Sequence, residues 1–469
     1  MDQYDIWVKI LEYLDLRSKR ALIRSAHFFT DNLVLTDLLH IEEKYAKNLT
    51  TNILRGRIFY HITSLSVTNV PVTDVSFLPN LRVLHACSNY NFGQICVIGQ
   101  EAINKLDLVE LNIWSNKNVW HVSHMKNLRV LNINGDCGVN QYGIQNLDLV
   151  RLYANDNHKI IDVSRMKNLK VLHATHKCGI DQKGINGLDL EELDIGSNNK
   201  IVDVSFMKHL KILFAMYSGI TQKSINGLNL VKLYIGGNDD KITDVSSMKN
   251  LKVLHLWANC GIGQEGIKGL DLIELYISRT SKIYDVSFMH NLKILCISGE
   301  CGVGQDGIRG LNLVRLNAND NIKIYDVSFM VNLKILDASG QNCGINQDGI
   351  RGLDLVELNT DRNWRIYDVS FMMNLKKLDA SLWTGIGQWG IRGLNLVELL
   401  AYDNEKINDV SYMHNLKILN ASGKCGIDQK GITGLDLEEF YYWSNKKITN
   451  VKFMKNLKKG SHPECYNSR

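Results

Sequence analysis

Residues Cys260 to Ile267 read CGIGQEGI. Gly261, Gly263 and Gly266 have the G-x-G-x-x-G spacing with which a dinucleotide-binding loop brings backbone amides against a pyrophosphate. Cys260 stands directly before them, where a thiolate could act as ligand or nucleophile. His85, His173 and His255 recur along the chain as candidate metal ligands, and Cys296 as a candidate free thiol. Each chemistry makes demands on its surroundings. A dinucleotide loop needs a strand before it and a full helix after it, in units of about 30 residues. Nucleophilic catalysis needs a base beside the nucleophile, and no Ser/His/Asp or Cys/His arrangement in the chain follows a catalytic pattern.

The surrounding elements repeat. The same eight-residue window reads CGVNQYGI at Cys137, CGIDQKGI at Cys178 and Cys425, and CGINQDGI at Cys343. Asn or Asp replaces Gly263 without disturbing the frame, so the middle glycine is incidental. Gln264, in contrast, recurs in all nine copies, and a hydrogen bond to the backbone of a neighbouring coil would explain it. Gly261 is read as a turn residue. Asp-Val-Ser recurs at Asp74, Asp162, Asp203, Asp244, Asp285, Asp326, Asp368 and Asp409, beyond the first copy at 41 residues or once 42. The first step, from Asp74 to His121, is 47, an insertion within CSNYNFGQIC.

Each unit divides in two. One half reads LKVLHATHKCGIDQKGINGL from Leu169, the other LEELDIGSNNKIVDVSFMKHL from Leu190. There are nine copies of each, after a degenerate start at ITSLSVTNVPVTDV. In Leu-x-x-Leu-x-Leu the fourth and sixth residues point the same way on a strand. About 20 residues cannot bury that apolar edge alone, so copies must stack. His85, His173 and His255 then lie about four strands apart, roughly 19 Å, too far to share a metal. No metal and no cofactor is expected.

At the ninth position the second halves carry Asn116, Asn157, Asn198, Asn238, Asn321, Asn363, Asn404 and Asn445, with Thr280 breaking the row. The first halves carry Cys137, Cys178, Cys260, Cys301, Cys343 and Cys425, and Cys96 once the insertion is removed. A turn there leaves buried backbone groups in need of partners. The asparagine amide is expected to bond its own turn and the next, and the thiol to act as a small apolar filler.

These halves resemble leucine-rich repeats (LRRs), L-x-x-L-x-L-x-x-N/C. KITDVSSMKNLKVLHL is similar to internalin-like and phosphatase-regulator-like repeats. LKILNASGKCGIDQKGITGL resembles the cysteine-containing LRRs found behind F-box domains. The resemblance implies an α/β fold, a right-handed LRR solenoid of about 18 repeats with a parallel concave sheet. Its other side should carry short helical or 3₁₀ turns capped by residues such as Asp181. The repeat array is placed at residues 61–458, with a polar tail at 459–469.

Residues 1–60 have no such repeat. Ile6, Trp7, Ile10, Leu11 and Leu14 follow helical spacing, as do Ala21, Leu22, Ile23, Ala26 and Phe29. A solenoid needs a cap over its exposed end, and a small all-α domain would supply one. DIWVKILEYLDLRSKRALIRSAHFF also resembles an F-box, although Asp2 and Gln3 stand where that family has Leu-Pro. The resemblance implies docking of a Skp-family adaptor through Ile6, Trp7, Ile10, Leu11, Leu14 and Leu16. An F-box before cysteine-type LRRs is the architecture of substrate receptors in SCF ubiquitin ligases. Near-identical repeats of this kind resemble the F-box and LRR proteins of large DNA viruses and some protists. A simple scaffold with a helical cap is the other reading.

The chain-wide balance agrees with a binding protein rather than an enzyme. A net charge of +5 over 469 residues gives no concentrated basic patch for nucleic acid or membrane. Three prolines against 36 glycines suit short strands and tight turns. No stretch approaches 18 uncharged apolar residues, the N-terminus does not read as a signal peptide, and the ten cysteines form no scaffold spacing. The expectation is a monomer in the cytoplasm, that of the host if the protein is viral. Its unknown protein target would lie on the concave face. There the third position is charged in the second halves, from Glu110 to Glu439, and positions five and seven carry Trp114, Tyr153, Phe214, Met216, Tyr234, Trp257, Tyr276, Tyr402, Tyr441 and Trp443. Such aromatics give large contact area at low entropy cost, unless they pack sideways on neighbouring strands.

Overall fold

The computed structural model describes residues 37–39, 49–56, 59–68, 70–88, 96–237, 241–258 and 260–461. The chain divides into two compact units, Met1–Asn229 and Leu230–Arg469. The first carries β1 (Asp37–Leu38), β2 (Ser64–Ser66), β3 (Val83–His85), β4 (Glu110–Asn112), β5 (Val130–Asn132), β6 (Arg151–Tyr153), β7 (Val171–His173), β8 (Glu192–Asp194) and β9 (Ile212–Phe214). Each pairs with the next in parallel.

The second unit carries β10 (Lys232–Gly236), β11 (Val253–Trp257), β12 (Glu274–Ser278), β13 (Ile294–Ser298), β14 (Arg315–Asn317) and β15 (Ile335–Asp337). It continues through β16 (Glu357–Asn359), β17 (Lys377–Asp379), β18 (Glu398–Leu400), β19 (Ile418–Asn420), β20 (Glu439–Tyr441) and β21 (Lys459–Ser461). These also pair in parallel and in chain order.

Register follows the leucines. Leu131, Leu152, Leu172 and Leu193 pair across β5 to β8, and each is fully buried. A shift by one residue would turn the whole leucine row to solvent, so burial sets the pairing. Strands β3 to β20 correspond to the eighteen repeats, and both units have the parallel coil of an LRR solenoid. Two strands lie outside the limits drawn from the repeat: β1 pairs with β2, and β21 pairs with β20.

The return side departs from an α/β class. Among the described residues its helical elements are single turns, such as Tyr142–Ile144, Glu265–Ile267, Asp306–Ile308 and Asp348–Ile350 in 3₁₀ form, and Gln100–Ile103 and Gln222–Ile225 as four-residue α-turns. A coil of 20 or 21 residues leaves too few for a helix after its strand and two turns. The caps are local: the Asp181 carboxylate accepts from the amides of Lys183 (2.9 Å) and Gly184 (3.1 Å).

The asparagine row is buried and fully bonded. The Asn321 amide donates to the carbonyls of Ile297 (2.9 Å) and Val303 (3.2 Å), and its oxygen accepts from Lys323 N (3.0 Å). Asn116, Asn157, Asn198, Asn363, Asn404 and Asn445 donate in the same way. The partners belong to the preceding coil, not the next. Asn238 lies outside the described residues. Basic side chains two residues further on also reach back: Lys323 Nζ donates to the Cys301 carbonyl (3.0 Å), Arg365 to that of Cys343 (2.6 Å) and Lys447 to that of Cys425 (3.0 Å).

Candidate functional site

The thiols of the repeat are enclosed. Cys137, Cys178, Cys301, Cys343 and Cys425 are fully buried and Cys260 nearly so. Burial pushes the Cys137, Cys178 and Cys425 thiols up to about 11 and that of Cys343 to about 12. A thiol held there is neither a nucleophile nor a ready ligand at neutral pH. Cys296 on β13 is half-buried, and its thiol is raised by the same cause.

The glycine motif has a packing role. A side chain at Gly266 would collide with the Thr243 carbonyl oxygen of the preceding coil. At Gly302, Gly344 and Gly385, which repeat the place of Gly261, it would collide with carbonyls of the coil before. None of these three has a positive φ, so the first glycine serves close approach of coils rather than a turn. A Cβ on Gly263 would have nothing nearer than the Lys282 Cβ at 3.6 Å. Gln264 accepts from the amides of Tyr284 (3.1 Å) and Asp285 (2.9 Å) and donates to the Asp285 carbonyl (2.7 Å), which ties its coil to the next.

The open side of the sheet is where side chains remain available. In the first unit, Trp114 is 41% exposed, and Tyr153 and Phe214 are half-buried. Tyr153 packs edge-on against His173, ring centroids 4.8 Å apart. His173 Nε2 lies 2.9 Å from a Glu192 oxygen and its Nδ1 4.0 Å from Asp194, whose carboxyl is raised by burial. His85 is 3.2 Å from Glu110. The histidines are thus partly covered and paired, not freely exposed.

In the second unit, His255 lies between Tyr234 (centroids 4.3 Å) and Tyr276 (3.8 Å, stacked). Burial lowers its pKa to about 4, so it stays neutral. Trp257 beyond them is 47% exposed. Tyr402, Tyr441 and Trp443 are half-buried, and the Tyr441 hydroxyl donates to Glu439 (2.9 Å). The sideways packing of Tyr153, Tyr234 and Tyr276 removes part of each ring from solvent.

Carboxylates share this face at positions the repeat pattern marks as outward: position five (Asp337, Asp379) and position seven (Asp361). Asp361 Oδ1 is buried and accepts no hydrogen bond among the described residues. Burial raises the Asp361 carboxyl, and Asp337 and Asp320 add to this against the opposing Arg362. Burial also raises Asp379, and the charge of Asp361 adds to it. Among the described residues no group of three His, Cys, Asp or Glu side chains converges as a metal site, and no helix is long and apolar enough to cross a membrane. The adaptor candidates Ile6, Trp7, Ile10, Leu11, Leu14 and Leu16 lie outside the described residues.

Repeat, sheet and asparagine row together define an LRR solenoid. No protein-family model and no curated protein matches the chain. Among solved structures it is similar to the TLR13–ssRNA13 complex, at 18% identity over 88% of this chain and 70% of that one, with a TM-score of 0.49. It is also similar to the Rad7 and Elc1 complex of yeast, at 15% identity over 58% of this chain and 80% of that one, TM-score 0.36. The LRR protein LIC12759 of Leptospira interrogans is similar at 15% identity over 85% of this chain and 91% of that one, TM-score 0.32.

Proposed function

We propose that the chain is a protein–protein interaction module whose target docks on the open face of the sheet. Residues 1–60 dock a Skp-family adaptor, which makes the chain a substrate-recognition subunit of an SCF-type ubiquitin ligase. The observation that carries the binding role is the row of aromatics on that face, of which Tyr153, Tyr234 and Tyr276 already pack against neighbouring histidines. Rings already fixed in place lose little entropy on binding, the property of interface hot spots. The target contacts are assigned to Trp114, Tyr153, Phe214, Tyr234, Trp257, Tyr276, Tyr402, Tyr441 and Trp443. The adaptor role rests on the F-box resemblance alone.

The adaptor is tested by pull-down with a purified Skp-family subunit. Wild type is expected to bind, and a folded Trp7→Ala/Leu11→Ala variant to lose binding. A wild type that does not bind removes the ligase reading and leaves an LRR scaffold whose N-terminal residues only cap the stack. Crosslinking from the sheet face with mass spectrometry would identify the target. A Trp257→Ala/Tyr276→Ala variant is expected to lose that crosslink, and its persistence would move the target elsewhere.

A further inference from the structure

The repeat supplies its own control for each position on the sheet face. Position seven is neutral in seventeen of the eighteen copies, from Cys87 to Trp443, and is an acid only at Asp361. Asp361 Oδ1 is also the single buried side-chain nitrogen or oxygen without a hydrogen-bond partner among the described residues. The cation beside it, Arg362, is itself half exposed, and its Nη1 stands 3.9 Å from the other carboxylate oxygen, too far for a hydrogen bond. A buried acceptor without a donor costs stability. Nothing within the stack repays that cost.

Other carboxylates surround Asp361. The register places Asn317, Asp337, Asn359 and Asp379 side by side on β14 to β17, and Asp361 lies two residues beyond Asn359 on the same face. Neutral groups hold the neighbours in place. Asp337 accepts from Asn317 Nδ2 (3.1 Å) and Ser339 N (3.0 Å), Asp379 from Ser381 N (3.0 Å), and Asp320 from Asn342 N (3.1 Å). The carboxylates act on one another. Beyond burial, Asp337 and Asp320 raise the Asp361 carboxyl, and Asp361 and Asp337 raise that of Asp379.

The charge on this stretch is not cancelled. Position three balances within itself, with Arg315 and Lys377 against Glu357 and Glu398, and Lys377 Nζ lies 3.4 Å from Glu398. Positions five to eight of β14 to β17 carry four aspartates and one cation, Arg362. This acidic stretch belongs to a chain whose net charge is +5. The first unit treats such a carboxylate differently, since Asp194 at position five has His173 beside it.

Charge and geometry define what fits. The Asp361 side chain keeps 25% of its surface open, so a donor can reach it from outside the chain. Among the described residues no three acids, histidines or cysteines converge as a metal site. Acceptors spread over neighbouring strands suit a spread donor. A guanidinium is planar, always charged and carries five N–H donors, whereas an ammonium concentrates its charge at one point. A guanidinium also stacks on aromatic rings, and Tyr402 follows at position seven of β18, half-buried. We infer that this stretch of the face takes an arginine side chain of the protein target, its guanidinium lying across Asp337, Asp361 and Asp379. The inference rests on the sheet face being the docking surface, and adds that the segment docking there is basic.

The full chain is titrated into fluorescein-labelled octapeptides of alternating glycine with arginine, lysine or glutamate, at about 0.15 M salt, and followed by anisotropy. Saturable binding is expected for the arginine peptide, tighter than for the lysine peptide and absent for the glutamate peptide. Asp361→Asn should weaken arginine-peptide binding at least about tenfold. Asp348→Asn, at an exposed carboxylate of the return side, should not change it. The thermal midpoint of Asp361→Asn should equal or exceed that of wild type, which separates lost binding from lost folding. A lower midpoint would show that the carboxylate is already paired within the chain, and would overturn the inference. So would absent binding, equal affinity for arginine and lysine peptides, or indifference to Asp361→Asn. Displacement of the arginine peptide by equimolar spermine or calcium would assign the stretch to a small cation instead. The docking face is judged separately: a target crosslink lost in Trp257→Ala/Tyr276→Ala retains that face even where the arginine peptide fails.

Discussion

His255 is held where its charged form is poorly solvated, between two tyrosines and with a pKa of about 4. In the unfolded chain the same imidazole takes a proton near its ordinary value of about 6.5. Below that value the unfolded state binds more protons than the folded one. The stability contributed by the neutral ring is therefore complete above about pH 6.5 and is lost as pH falls through 4. Asp361 and Asp379 act in the opposite sense. Their carboxyls are raised, so acidification relieves the cost of holding them ionised. Comparison of wild type with His255→Phe isolates the histidine. The variant's thermal midpoint should fall less between pH 6.5 and 4, and identical pH profiles would mean that the stack does not suppress protonation.

Within an element, the decisive distances are those between coils. Gly263 and Gly266 belong to one apparent motif and face different surroundings. A methyl at Gly266 has no room beside the Thr243 carbonyl, while one at Gly263 meets the Lys282 Cβ and carbonyl oxygen at 3.6 Å, an ordinary contact distance. Gly266→Ala should lower stability by about 1–3 kcal/mol, the range of an overpacked interior, and Gly263→Ala by less than about 0.5 kcal/mol, as for an ordinary surface change. Urea denaturation of the two variants measures the contrast. Equal effects would return Gly263 to the motif. Glutamines act at the same level, since Gln141, Gln182, Gln264, Gln305, Gln347, Gln388 and Gln429 each join a 3₁₀ turn to the backbone of the coil beyond it.

At the level of the molecule, stability is a sum over neighbouring coils rather than a property of one centre. Asn321 stands at such a joint, and Asn321→Ala leaves the Ile297 and Val303 carbonyls without their amide partner. The expected cost is about 2–4 kcal/mol from two buried acceptors. Because coupling runs through nearest neighbours, unfolding of the second unit should broaden as well as weaken. In urea this appears as a lower midpoint with a smaller apparent slope, and an unchanged transition would show that the asparagine row does not couple the coils.

The 41-residue period by itself determined the parallel coil, the buried leucines, and the asparagine and cysteine rows. One coil cannot bury its own apolar edge, so the repeat requires stacking, and every copy then occupies the same environment. Only the tertiary structure decided what passes between coils. It turned the asparagine amides toward the preceding coil and gave the first glycine of the motif a packing role. It also placed His255 between Tyr234 and Tyr276. These features depend on which side chains from different copies come within a few ångströms of each other. A period specifies that copies stack, while the distances between their side chains follow only once the coils have closed on one another.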